Sequence, residues 1–178
     1  MNAGTVRKRV ILGFSAVILL MIALCAFAYV QLRGIESQAI ALRANSVPGL
    51  YLVGRLSAVS ISTYTSVQQH ILERDPAKMQ QIMSYIHDKT TERLDLLKQY
   101  DNTISTPKAR DLNEETKAAL APYMAVRGEV LKLSADPKTK SEASVLLHTQ
   151  LEPAYGKLQG AIEAEVNFNK TSLSLAAS

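Results

Sequence analysis

The residue types that carry metal or nucleophile chemistry are few and scattered in this sequence. The single cysteine, Cys25, lies inside an apolar run. The three histidines stand far apart along the chain: His70, His87 and His148. A zinc site needs clustered His and Cys ligands, and no nucleophile–base pair or converging carboxylates are evident. We therefore predict no metal site, no cofactor and no catalytic residue, so the protein is expected not to be an enzyme.

A second set of polar residues is expected to meet at one end of a helical bundle, where it could hold a small ligand. Its six members are Tyr64, His70, Arg74, Arg110, His148 and Thr149. The competing interpretation is a solvated helix end with a few capping contacts. In that interpretation the two histidines lie on the surface, and Tyr64 packs in the core.

Three short breaks divide the body of the chain into the helices that would position these residues. Asp75 and Thr106 are suited to cap the helices that begin with Pro76 and Pro107, because proline at the first helical position needs no N–H partner. Ser141 is the expected cap after the third break. The predicted helices cover about residues 33–73, 76–104, 107–134 and 141–178.

Apolar residues between the breaks recur at alternating steps of three and four. The third helix shows the pattern best, with Leu112, Thr116, Ala119, Tyr123, Val126, Val130 and Leu133. The second helix gives Met79, Met83, Ile86, Thr90, Leu94 and Leu97, in which the methionines are expected to fill the core. This period buries one stripe per helix. With short connections, it predicts an all-α, antiparallel up-down-up-down four-helix bundle.

Two kinds of residue interrupt the apolar stripes. Thr116 and Glu165 fall on stripe positions, where they would fix the register or face a dimer partner. Pro48, Pro122 and Pro153 fall inside predicted helices, where we expect tolerated kinks.

An apolar run near the N-terminus predicts a membrane helix. Residues 10–32 carry no charge, and their 23 positions exceed the ~20 that a spanning helix needs. Arg7, Lys8 and Arg9 precede the run, which predicts a cytoplasmic leader at residues 1–9 and an extracytoplasmic domain at residues 33–178. Two alternatives are a signal peptide cleaved near residues 26–28 and a lipoprotein anchored through Cys25.

The basic charge belongs to this membrane segment. Lys+Arg number 20, and four of them flank the run, which leaves 20 − 4 = 16 against 16 Asp+Glu in the body. A neutral body lacks the basic face that nucleic-acid binding requires, so no nucleic-acid partner is expected. With one cysteine, no disulfide can form within the chain.

Several short segments resemble a known family in their order and spacing. They are the basic leader, residues 45–50 (NSVPGL), residues 71–76 (ILERDP), Pro122 with Tyr123, and Asn167 with Asn169. The arrangement resembles the N-terminal part of bacterial methyl-accepting chemotaxis proteins with a four-helix-bundle sensor. The resemblance implies a homodimeric periplasmic bundle anchored in the inner membrane, which binds a small ligand. It also implies a second membrane helix, a HAMP relay and a cytoplasmic kinase-control domain downstream.

The ligand and the output stay open at this point. Family members that take carboxylates often carry arginines in the distal half of the first helix, whereas residues 62–66 here offer hydroxyls. The partner is therefore a small molecule, such as an organic acid, an amino acid or a neutral polar compound, or else a periplasmic binding protein. Histidine kinases and diguanylate cyclases carry similar sensor modules. A membrane-anchored scaffold without a small ligand is the alternative from another class.

Overall fold

The computed structural model describes the backbone of residues 3–177 and the side chains of residues 18–30 and 47–175. In chain order the elements are α1 (Ala3–Leu72), α2 (Pro76–Asp101), α3 (Pro107–Ser134), α4 (Lys140–Leu146), a π-helical segment (Leu147–Leu151) and α5 (Glu152–Ala177). No strand occurs among residues 3–177. The prediction of an all-α chain is confirmed.

The chain divides into two compact units, residues 1–41 and residues 42–178. In the first unit, the side chains of residues 18–30 are all exposed, and most of them are apolar. Over the described residues, we find no helix with the length and apolar character needed to cross a membrane. The membrane segment predicted at residues 10–32 lies partly outside the described side chains and stays a prediction.

Two of the three expected helix caps are confirmed. The Asp75 carboxylate accepts from the backbone N–H of Ala77, and Pro76 opens α2. Thr106 caps α3 through the N–H of Ala109. The third expectation is wrong, because α4 already begins at Lys140 and Ser141 lies inside it. The Thr139 hydroxyl instead donates to the carbonyl of Leu133, 2.6 Å away, and closes the turn.

Hydrogen bonds in the second unit show that neighbouring helices run in opposite directions. Asp101, at the end of α2, contacts Asn113, near the start of α3. Thr90, earlier in α2, contacts Arg127, later in α3. The contacts of α1 with α5 follow the same reversed order. As a result, the α1–α2 and α3–α4 turns meet at one end, where the Lys140 ammonium donates to the carbonyl of Glu73.

The buried stripes largely follow the predicted period, with one shift that matters. Along α3 the buried positions include Asn113, Thr116, Leu120, Tyr123, Arg127, Val130 and Ser134, again in steps of three and four. Arg127 is buried while its neighbour Val126 is only partly buried. On α2, Arg93 is buried, whereas Leu94 is 57% exposed. Leu94 was therefore mispredicted by one position, Val126 packs against the core but is only partly buried, and two arginines lie in the core.

The predicted fourth helix is interrupted by the π-helical segment at Leu147–Leu151. Pro153 causes this interruption, because it has no N–H to donate to the carbonyl four residues earlier and its ring crowds that carbonyl. The backbone N–H of Glu152 donates to the carbonyl of Leu147, five residues back, which is the π-helical pattern. Pro48 and Pro122 stay inside unbroken helices.

The difference between buried and exposed leucines can be measured directly. Leu158 is 1% exposed on α5, and Leu94 is 57% exposed on α2. Leu158→Ala should lower the free energy of unfolding by about 2–5 kcal/mol, because it removes buried methyl groups and leaves a cavity. Leu94→Ala is the matched control and should change it by less than about 1 kcal/mol. Urea unfolding of the chain in mild detergent, followed by circular dichroism, gives both values, and equal losses would contradict this core assignment.

Candidate functional site

A cavity of about 1100 Å³ opens where the two turns meet. We call it the end cavity. Its wall draws on the end of α1, the first turns of α2, the last turns of α3 and the start of α4. Residues from both turns are held together around it, since the Lys140 ammonium also lies 3.9 Å from the Met79 sulfur. The end cavity thus connects the start of α4 to the α1–α2 turn.

The wall of the end cavity combines cations with apolar side chains. Arg74, Lys132 and Lys140 bring positive charge, and none of the lining residues that the structure describes is acidic. The apolar part includes Met79 and Met83. Met83 is 37% exposed, so the expectation that this pair fills the core is wrong. Flexible thioethers adapt to varied shapes, and such a wall suits an anion with an apolar body.

His70 borders the end cavity from α1, and its ring is buried rather than on the surface. Its Nδ1 lies 2.6 Å from the Ser134 hydroxyl oxygen. Because that hydroxyl donates to the carbonyl of Leu131, the proton between the two side chains belongs to His70 Nδ1. Burial and the Lys140 charge lower the pKa of His70, so the ring is neutral at pH 7. Its Nε2 is then left as an acceptor.

The six predicted site residues do not all come together. His70 and Arg74 line the end cavity. Tyr64 stacks on Tyr155 of α5, with ring centroids 4.1 Å apart and planes 5° apart. Exposed His148 pairs with Glu152 at 3.1 Å.

Thr149 is exposed on the π-helical segment, and its hydroxyl donates to the carbonyl of Val145.

Arg110 was expected at the same end as His70, and that placement is wrong. Chain direction reverses at each turn, so α3 begins at the opposite end. Arg110 is 24 residues before Ser134 on α3, a distance of about 36 Å along the helix.

The middle of the bundle contains a polar cluster that the sequence did not reveal. Arg93 from α2 and Arg127 from α3 both face the ring of Tyr123, with guanidinium carbons 5.5 Å and 5.9 Å from its centroid. We call these three side chains the arginine–tyrosine cluster. They are 1%, 7% and 0% exposed, respectively. No carboxylate forms an ion pair with either arginine among the described side chains.

Burying two like charges in this way lowers the stability of the fold. Each buried guanidinium costs several kcal/mol of lost hydration, while a cation–π contact returns only about 2 kcal/mol. Burial lowers the pKa of both arginines, and the charge of Arg127 lowers that of Arg93 further. Burial also raises the pKa of Tyr123, so its hydroxyl stays neutral. A sequence signal existed, because Arg127 continues the spacing Thr116, Leu120, Tyr123, but the apolar neighbour Val126 concealed it.

Among the described residues, no group of three or more His, Cys, Asp or Glu side chains could hold a metal ion.

Comparison with known families agrees with this architecture. A model of the four helix bundle sensory module for signal transduction matches residues 2–174. The chain belongs to this family. Its modules are sensory parts of methyl-accepting chemotaxis proteins, so the predicted resemblance is confirmed. No curated protein sequence matches the chain significantly.

The sensory module carries a third polar group, at the end of the bundle opposite the end cavity. Glu165 of α5 is fully buried, and neither carboxylate oxygen has a partner in hydrogen-bonding geometry. Burial raises its pKa to about 7, although the nearby hydroxyls of Thr116 and Tyr100 and the charge of Lys117 act to lower it. Beside it, the Asn169 amide donates to the Tyr100 hydroxyl at 3.1 Å.

This carboxyl predicts that the stability of the sensory module depends on pH. The folded state holds the Glu165 proton up to about pH 7, whereas the unfolded chain loses it near pH 4.5. Folded protein therefore binds more protons at Glu165 between these values, and the contribution of Glu165 to the free energy of unfolding falls as pH rises through that window. The full loss is about 3 kcal/mol, at 1.36 kcal/mol per pKa unit. Above about pH 7 the contribution of Glu165 is constant.

Urea unfolding at pH 5, 6, 7 and 8 measures this dependence. Glu165→Gln should remove most of the fall in stability, because glutamine does not titrate. Glu163→Gln, at an exposed position on the same helix, is the matched control and should keep it. The assignment fails if both variants retain the wild-type slope.

Proposed function

We propose that the chain is the extracytoplasmic ligand-binding part of a transmembrane chemotaxis receptor, and that it detects a small organic acid in the end cavity. The observation that carries this proposal is a cavity of about 1100 Å³ lined by Arg74, Lys132 and Lys140. Membership of the sensory-module family supports a signalling role. The distal part of the first helix, residues 62–66, offers hydroxyls instead of arginines, and the cations of the end cavity come from other elements.

The chemistry of the wall limits the ligand to an amphipathic anion. A guanidinium and two ammonium groups can donate charge-assisted hydrogen bonds to a carboxylate. The methionines and Leu131 offer an apolar surface to the rest of the molecule, and neutral His70 offers an Nε2 acceptor to a hydroxyl or ammonium group. An aliphatic or aromatic carboxylic acid satisfies these three features together.

The first unit of the chain contains the segment that we place in the membrane. Residues 10–32 span the inner membrane, residues 1–9 stay in the cytoplasm, and residues 33–178 lie in the periplasm as a homodimer. The exposed apolar side chains over residues 18–30 support this setting, because an apolar helix surface that the chain itself leaves uncovered is stable in lipid.

The end cavity also suggests how a bound ligand would signal. Lys140 begins α4, and the helical path continues through the π-helical segment into α5. A carboxylate that binds Lys140 and Arg74 favours one position of α4 relative to the α1–α2 turn. Ligand binding can shift a population only through such differential contacts, and small helix displacements are a common means of transmission.

Thermal unfolding of the chain in mild detergent, with a panel of organic acids, tests the proposal. A binding acid at 100 times its Kd adds about 2.7 kcal/mol, which should raise the midpoint by about 5–10 °C. Arg74→Met/Lys132→Met should weaken binding at least about 10-fold, since charged hydrogen bonds are worth about 1.5–3 kcal/mol each.

The matched control is Arg110→Met/Lys138→Met, which removes the same charge from exposed positions outside the end cavity. It should bind the acid as the wild type does. The proposal is overturned if no acid shifts the midpoint of the folded protein, or if both double variants respond alike.

A further inference from the structure

The arginine–tyrosine cluster contains hydrogen-bond donors that have no partner in hydrogen-bonding geometry, although the nearby Tyr123 hydroxyl acts to raise the pKa of both arginines. Arg93 Nε, Arg127 Nε and Arg127 Nη1 are buried without a partner, and so is the Tyr123 hydroxyl. Three of these are N–H groups, and the hydroxyl can also donate. Buried polar groups in native proteins are nearly always paired, so four donors at one place need a specific explanation.

The partners that the two arginines do have are neutral. Arg93 donates to the Thr63 hydroxyl at 3.1 Å and to the Met124 sulfur at 3.2 Å. Arg127 donates to the Thr90 hydroxyl at 3.0 Å. Both threonine hydroxyls donate their own protons to the carbonyl one turn earlier, which aims their lone pairs at the arginines. These contacts orient the guanidinium groups but leave their charge uncompensated.

We propose that the arginine–tyrosine cluster binds one small monovalent anion, a halide or a carboxylate no larger than acetate, between α1, α2 and α3. An anion accepts from several donors at once and neutralises charge, which the threonines cannot do. The three side chains are almost completely buried, which favours a small ligand. Such an anion joins Arg93 of α2 to Arg127 of α3.

This site is separate from the end cavity and does not depend on the proposed function. Arg93, Arg127 and Tyr123 are absent from the end cavity's wall, although Gly128, the neighbour of Arg127, lines it. The described cations of the end cavity, Arg74, Lys132 and Lys140, therefore form a different set that can be changed independently.

The experiment measures the unfolding midpoint of the full chain in a neutral detergent as sodium chloride replaces sodium isethionate, whose sulfonate is bulky, at constant ionic strength. Sodium acetate is tested in the same way. We expect the midpoint to rise by several degrees and to saturate with chloride, acetate or both. Arg93→Met/Arg127→Met should abolish the rise and still fold, because apolar replacement of buried charges is commonly neutral or stabilising.

Arg74→Met/Lys132→Met is the matched control, and it should keep the full chloride response, whereas acetate can also bind the cations of the end cavity. If the double methionine variant at the cluster does not fold, Arg127→Lys is used. Lysine keeps the charge but loses the guanidinium donors, and it should reduce the response at least 5-fold. The proposal is overturned if the folded wild type does not respond, if the cluster variant responds like the wild type, or if only the end-cavity variant loses the response.

Discussion

The burial of about one side chain in each helical turn holds this sensory module together, since its only cysteine excludes a disulfide within the chain. That constraint makes the content of the buried stripes decisive. Among the described residues, 20 buried side chains are apolar and 11 are polar or charged, so about a third of the core does not stabilise by apolar burial alone. Each buried polar side chain must find a partner or lower the stability of the fold.

The buried polar groups are arranged in levels along the bundle. Neutral His70 and Ser134 lie near the turns, the two guanidinium groups lie in the middle, and Glu165 lies toward the other end. Thr116, which neighbours Glu165, and Arg127 are 11 residues apart on α3, or about 16 Å. The buried guanidinium groups and the Glu165 carboxyl are therefore three turns apart and do not pair. The stability of such a core depends on protons and anions. A proton neutralises the Glu165 carboxylate, and an anion would neutralise the guanidinium charge.

The helical framework could be predicted because it depends on local signals. Asp75 with Pro76 and Thr106 with Pro107 are short-range patterns, and both begin helices as expected. The functional residues depend on which of two adjacent positions turns inward, and hydrophobicity alone favoured Leu94 over Arg93. The predicted position of Arg110 was also wrong, because chain direction alternates from helix to helix and the start of α3 lies at the opposite end from His70. His70 and Arg74 line one cavity, and the shape of that cavity depends on the packing of three further segments.

The π-helical segment determines which face of α5 points into the bundle. One residue corresponds to about 100° of rotation around an α-helix, and a π turn accommodates one residue more than an α turn. The angular phase of α5 relative to α4 is therefore set by the five residues of Leu147–Leu151. If that turn were regular, Leu158 and Glu165 would face a different direction, and the α5 stripe would no longer meet α3. The inward orientation of an entire 26-residue helix is thus fixed by one irregular turn next to a single proline.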